Sequence, residues 1–165
     1  MTKNLRLLLS VLLFSCFFVT IMLSGCTSDS DFEPTATLSE ITGAIVESEG
    51  GDFPTMLEKT RDDLENRYFG IKDEWVEDAS FRINPAGANP DEITIVKTTS
   101  SEAATELRRF FADYVSGKKE EWKDYQPGEM HKFDNVVIES RGLYTVLFIC
   151  SDSANAREIL DSYFK

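Results

Sequence analysis

The chain falls into stretches with different spacings of apolar and polar residues. Residues 7–23, "LLLSVLLFSCFFVTIML", carry no charge, and residues 27–36, "TSDSDFEPTA", are small, polar and acidic. Thr37-Leu-Ser-Glu40 has the spacing of a capping box, in which hydroxyl and carboxylate satisfy backbone amides at a helix start. Leu38, Ile41, Ile45 and Val46 supply that helix with an apolar stripe, and Gly50-Gly51 stops it. "FPTMLEKT" reads as an extended or irregular connection. Thr60 to Phe69 reads as a short polar helix closed by Gly70.

The remainder alternates with strand and helix periods. Ala79, Phe81 and Ile83 alternate with Ser80 and Arg82, the pattern of a strand with one buried face. "NPAGANP" is a loop with two Asn-Pro turns, and "EITIVK" returns as the partner strand. Ser100 and Ser101 open a long helix with Ala103, Leu107, Phe110 and Tyr114 beside Ala104, Phe111 and Val115. It continues toward Trp122 past a weak point at Gly117. "NVVIES" and "LYTVLFIC" form a second hairpin across Arg141-Gly142. The latter strand is apolar on both faces and belongs inside the sheet. Asp152 or Ser153 caps a last helix carrying Ile159, Leu160, Tyr163 and Phe164. The fold class is α+β: a mostly antiparallel sheet built from two β-hairpins (a ββαββα core), with helices packed on it and N-terminal helices before it. Phe110, Phe111, Tyr144, Phe148 and Leu160 are the expected core.

The ends of the apolar leader decide its meaning. Lys3 and Arg6 precede it and Leu23-Ser24-Gly25-Cys26 follow it, which is the layout of an export signal. Seventeen residues also reach the lower limit for a spanning helix, so an uncleaved anchor is the alternative. "LSGC" resembles the bacterial lipobox, with Leu23, Ser24 and Gly25 as the peptidase recognition residues and Cys26 as the thiol that takes up lipid. Under that reading residues 1–25 are signal, 26–36 an acidic flexible tether, and 37–165 one extracytoplasmic domain. The partners expected are the membrane, through lipid on Cys26, and an unknown envelope protein or ligand. Localisation is then the outer face of the cytoplasmic membrane.

Charge and cysteine content narrow the choice further. The chain has 29 acidic and 17 basic residues, a formal net charge of −12. Loss of Lys3 and Arg6 with the leader takes this to about −14. A polyanion binder needs the opposite sign, which excludes nucleic acid as a partner. With Cys16 in the leader and Cys26 modified, only Cys150 remains, so no disulfide forms within one mature chain. Cys150 ends an apolar run and reads as a buried, inert thiol.

Candidate chemistry is sparse. His131, in "GEMHKFDN", is the only histidine, and it stands beside no recognisable nucleophile. No G-x-S-x-G, H-E-x-x-H or C-x-x-C occurs. Asp62-Asp63-x-Glu65 and Asp73-Glu74-x-x-Glu77-Asp78 offer oxygens for calcium but lack the alternating ligands and central Gly of a dedicated loop. No catalytic, cofactor-binding or metal-binding residue is therefore assigned.

Several short pieces carry a resemblance. They are "DEITIVKTTS" running into the long helix, Asp124-Tyr125 with Pro127, Asn135 with Val136-Val137, Gly142 with Tyr144, and the terminal "AREILDSYF". Together they resemble the bacterial lipoprotein family known as domain of unknown function 4358. The resemblance implies an exported, lipid-anchored domain of Gram-positive anaerobes without assigned activity or site residues. Two functions are then expected: a non-catalytic binding or accessory module of the cell envelope, or a carboxylate-dependent envelope hydrolase or transferase.

Overall fold

The computed structural model describes residues 32–49 and 55–164. The expected signal, lipobox and most of the tether lie outside those residues, as does Gly50-Gly51. Helix α1 (Leu38–Ser48) starts at Thr37 through the capping box with Glu40. Strand β1 (Leu57–Thr60) is followed by a 3-10 turn, Arg61–Asp63, and a single α-turn, α2 (Leu64–Arg67). Strands β2 (Val76–Ile83) and β3 (Glu92–Thr98) precede the long helix α3 (Ser101–Tyr125), capped by Ser100. A 3-10 segment, Pro127–Phe133, leads to β4 (Val137–Arg141), β5 (Tyr144–Ile149) and α4 (Ser153–Tyr163), capped by Asp152.

The five strands form one sheet in the order β1-β2-β3-β5-β4, and every neighbouring pair is antiparallel. The architecture is α+β, with helices on both faces of the sheet. Against one face pack α1 and α4, where Ile41, Ile45, Ile93, Ile95, Val146, Phe148 and Leu160 are all fully buried. Against the other pack α2 and α3, where Tyr68, Phe81, Val96, Leu107, Phe111, Leu147 and Ile149 are fully buried. Burying a side chain of this size contributes roughly 1.5–3 kcal/mol each, so both layers hold the sheet between them.

Three expectations are corrected. "FPTMLEKT" ends in a fifth strand, β1, whose residues are mostly exposed. An edge strand held by backbone pairing to β2 leaves no hydrophobic alternation to read. The helix expected over Thr60–Phe69 shrinks to Leu64–Arg67, because Arg61–Asp63 winds as a 3-10 turn and the backbone leaves helical geometry at Tyr68. Phe110 is half-buried at the margin, while Phe111, Tyr144, Phe148 and Leu160 are buried as expected. Helix α3 runs unbroken through Gly117.

Strand β3 lies mid-sheet and is covered on both sides. Ile93 and Ile95 face α1 and α4, while Glu92, Thr94 and Val96 face α2 and α3. A carboxylate and a hydroxyl are thereby placed in the interior. That placement builds the site.

Candidate functional site

Glu92 is fully buried, and a carboxylate there is costly unless charges and hydrogen bonds surround it. Four side chains do so. From α2, Arg67 Nη2 approaches Glu92 Oε2 at 2.5 Å, and the adjacent Tyr68 hydroxyl donates to Glu92 Oε1. From α3, the Tyr114 hydroxyl donates to Glu92 Oε2 at 3.0 Å and Lys118 Nζ at 2.7 Å. Tyr114 and Lys118 are one helical turn apart and so share a face. Tyr68 also bonds Thr94 Oγ1 at 2.6 Å and packs its ring 5.1 Å from that of Tyr114.

Burial alone would raise the Glu92 carboxyl. The Lys118 ammonium and Arg67 guanidinium outweigh it and hold the group at about 2, against an ordinary 4.5. Burial in turn pulls Lys118 down from its ordinary value, opposed by Glu92. A carboxylate this weakly basic is a poor proton acceptor near neutral pH. Its effect is to fix two cations in place.

The preceding residue, Asp91, is 1% exposed. Burial raises its carboxyl, and Lys132 opposes the rise through a 2.7 Å bond to Oδ2. Lys132 is itself paired to Glu129 at 2.7 Å. Both acids are delivered to the end of the sheet by the β2–β3 loop, residues 84–91. Asn84 Oδ1 accepts from the Ala86 amide at 2.8 Å, and Gly87 takes φ +64, a left-handed turn suited to glycine.

Between this loop and the C-terminal half of α3 lies a cleft of about 420 Å³. Arg67, Asp91 and Lys118 form its inner wall, with Asn89, Gly117 and Trp122 around them and Asp113 and Glu121 exposed at the rim. Among the described residues no donor reaches Asp91 Oδ1 or Asn89 Oδ1, and no acceptor reaches Arg67 Nε. A Cβ placed on Gly117 would meet nothing within 4 Å. The helix surface is open to the cleft there.

The residues singled out in the sequence lie elsewhere or are otherwise engaged. Leu23, Ser24, Gly25 and Cys26 are outside the described residues. His131 is exposed, with Nδ1 3.0 Å from the Gly128 carbonyl oxygen. Cys150 is fully buried, and burial pushes its thiol up to about 12. Asp63 pairs with Lys59, Asp73 with Arg61, and Glu77 with Lys97. Among the described residues no group of three His, Cys, Asp or Glu is placed to hold a metal ion. The "NPAGANP" loop is the exception, since it forms one wall of the cleft.

Sequence reasoning missed Glu92, Arg67 and Lys118. The available signal was Glu92 and Thr94 alternating with Ile93 and Ile95 in a strand that then runs on to Val96. That alternation marks a strand but does not by itself tell a solvated polar face from a buried one.

The family described as Domain of unknown function (DUF4358) matches residues 49–151, which span β1 to β5 and therefore the whole sheet, α3 and the cleft. No curated protein and no solved structure matches the chain. With more than half of its length aligned to that family, the chain belongs to DUF4358.

Proposed function

We propose that this chain is a lipid-anchored extracytoplasmic domain that binds a ligand in the cleft beside α3 and does not turn it over. One observation carries the reading: the cleft and the point where the N-terminal segment enters lie at opposite ends of the sheet. Glu33 accepts from the Tyr144 hydroxyl at 2.5 Å and lies 3.7 Å from Lys97. The Thr35 amide donates to the Tyr163 carbonyl at 2.8 Å. Lys97 and Tyr144 are register partners at one end of β3 and β5, whereas Glu92 and Ile149 pair at the other. Five residues of strand separate the two ends, about 17 Å.

With lipid on Cys26, the chain from there to Phe32 spans at most about 20 Å. The Tyr144 end then stays near the membrane and the cleft faces away from it, toward the envelope. Binding is favoured over hydrolysis because the two buried carboxylates at the cleft are both engaged. Glu92 is held ionised by two cations and Asp91 is tied to Lys132.

Two measurements in cells test the reading. Cys26→Ala should leave unprocessed precursor and abolish lipid labelling; normal processing and labelling of that variant would contradict it. Asp113→Cys, exposed at the cleft rim, should react with a membrane-impermeant maleimide in intact cells. Protection until lysis would place the domain on the wrong side.

A further inference from the structure

The binding reading leaves the chemistry of the ligand open, and Arg67 constrains it. A guanidinium presents five N–H donors in a fixed fork. Arg67 uses one nitrogen, Nη2, on Glu92, whose Oε2 it shares with Tyr114 and Lys118. Nε is sealed in the wall, out of reach of anything in the cleft. Nη1 is different: among the described residues it donates to no acceptor, yet it is not sealed. The side chain keeps 30% of its surface exposed and lines the cleft. Glu92 and the Tyr114 ring, 5.9 Å from the guanidinium carbon, hold it in place. An open cationic donor fixed in this way suits a carboxylate, because little ordering remains to oppose binding.

The rim has the opposite sign. Asp113 and Glu121 are exposed there, about one turn of α3 to either side of Gly117. Cations on the same helix are committed elsewhere: Arg109 to Glu106, Lys119 to Asp134 and Lys123 to Glu120. A simple anion heading for Arg67 passes two like charges at the rim. A simple cation that passes them meets Arg67 and Lys118 inside. A ligand carrying both charges is matched at each end. From the open Arg67 Nη1 and the acidic rim, we propose that the cleft between the β2–β3 loop and α3 holds a small zwitterion, a carboxylate joined to an ammonium as in a free amino acid or dipeptide. The carboxylate lies inward on Arg67, and the ammonium lies outward toward Asp113 and Glu121. The volume, about 420 Å³, lies within the range of small-molecule sites, about 300–1,000 Å³. Gly117 keeps the path between the two ends clear, since a Cβ there would meet nothing within 4 Å.

This inference rests on the binding reading. The full-length chain in detergent micelles is titrated near pH 7 with alanyl-alanine, whose two ends are then both charged. Its N-acetyl form, its C-terminal amide and N-acetylglucosamine are titrated beside it. Salt at about 0.15 M screens attraction to the acidic surface at large. The readout is the amide resonances of Gly87 and Gly117, both in the cleft. The free dipeptide should shift both saturably, and amidation should weaken binding about tenfold or more. Asp113→Asn with Glu121→Gln changes only exposed positions, so the fold is retained. That pair should weaken the free dipeptide about threefold and leave the N-acetyl form unchanged. Arg67→Lys, which keeps the charge but loses the fork, should weaken the free dipeptide and leave the amide unchanged. The rim variant keeps the test independent of the Glu92 network. No shift by the dipeptide, equal binding of either capped form, or rim substitutions that weaken free and N-acetyl forms alike would each overturn the proposal. Shifts by N-acetylglucosamine alone would overturn the zwitterion assignment while leaving the binding reading intact. Release of free alanine from the dipeptide would do the reverse.

Discussion

The two faces of the sheet bury similar amounts of chain by different means. Toward α1 and α4 the interior is mostly aliphatic and aromatic side chains in direct contact, with one buried hydroxyl pair, Thr42 and Ser80, 2.9 Å apart. Toward α2 and α3 the apolar cluster surrounds one carboxylate, two cations and two tyrosine hydroxyls. Apolar packing gains from every methylene, whereas a buried ion network roughly offsets its own desolvation. The second face therefore carries groups that stability alone does not require. It is also the face that opens into the cleft.

Substitutions at the centre of each face should separate the two regimes. Phe148→Ala and Glu92→Ala should each cost about 3–5 kcal/mol in urea unfolding, the first by leaving a cavity and the second by stranding Arg67 and Lys118. Their rescues should differ. Phe148→Leu, which keeps most of the volume, should recover most of the loss. Glu92→Leu should recover little, because the two cations remain unpaired. If Glu92→Leu proved as stable as the parent, the cations would be solvated and the network would not be a unit.

Smaller changes sharpen the contrast. Tyr68→Phe removes the hydroxyl shared by Glu92 and Thr94 and should cost about 1–3 kcal/mol. A loss within 0.5 kcal/mol, roughly the effect of an ordinary surface substitution, would detach Tyr68 from the network. On the opposite layer, Thr37→Ala removes one cap of α1 and should cost about 1 kcal/mol without altering the cleft resonances. Thermal denaturation and the Gly87 amide shift check the two halves of that statement.

The sequence pattern was most informative where period and burial coincide. The Thr37–Glu40 capping box, the α3 stripe and the doubly apolar β5 all appear as their spacing predicts. It was uninformative where backbone pairing alone defines an element, as in β1, whose side chains are mostly exposed on both faces. It was silent at Glu92. Alternating Glu, Ile, Thr and Ile describes a strand with one polar face, and only the arrival of Arg67 from α2 and Lys118 from α3 makes that face dry. Those partners are 25 and 26 residues away in the chain, and no local period links them. The cleft is hidden for the same reason, since it joins a loop, a helix and one turn of a third element.

The ionisation of Glu92 tests this account most directly. A folded-state value held below the ordinary 4.5, at about 2, means that the ionised carboxylate is stabilised by folding. That stability is fully present above about pH 4.5 and is lost as pH falls from there toward 2. With side-chain carboxyls labelled with carbon-13, the Glu92 resonance should hold its ionised position through pH 4.5 and begin to move only as the domain approaches acid unfolding. A midpoint near or above 4.5 in the folded protein would contradict the central claim that this face is organised around a permanently charged carboxylate.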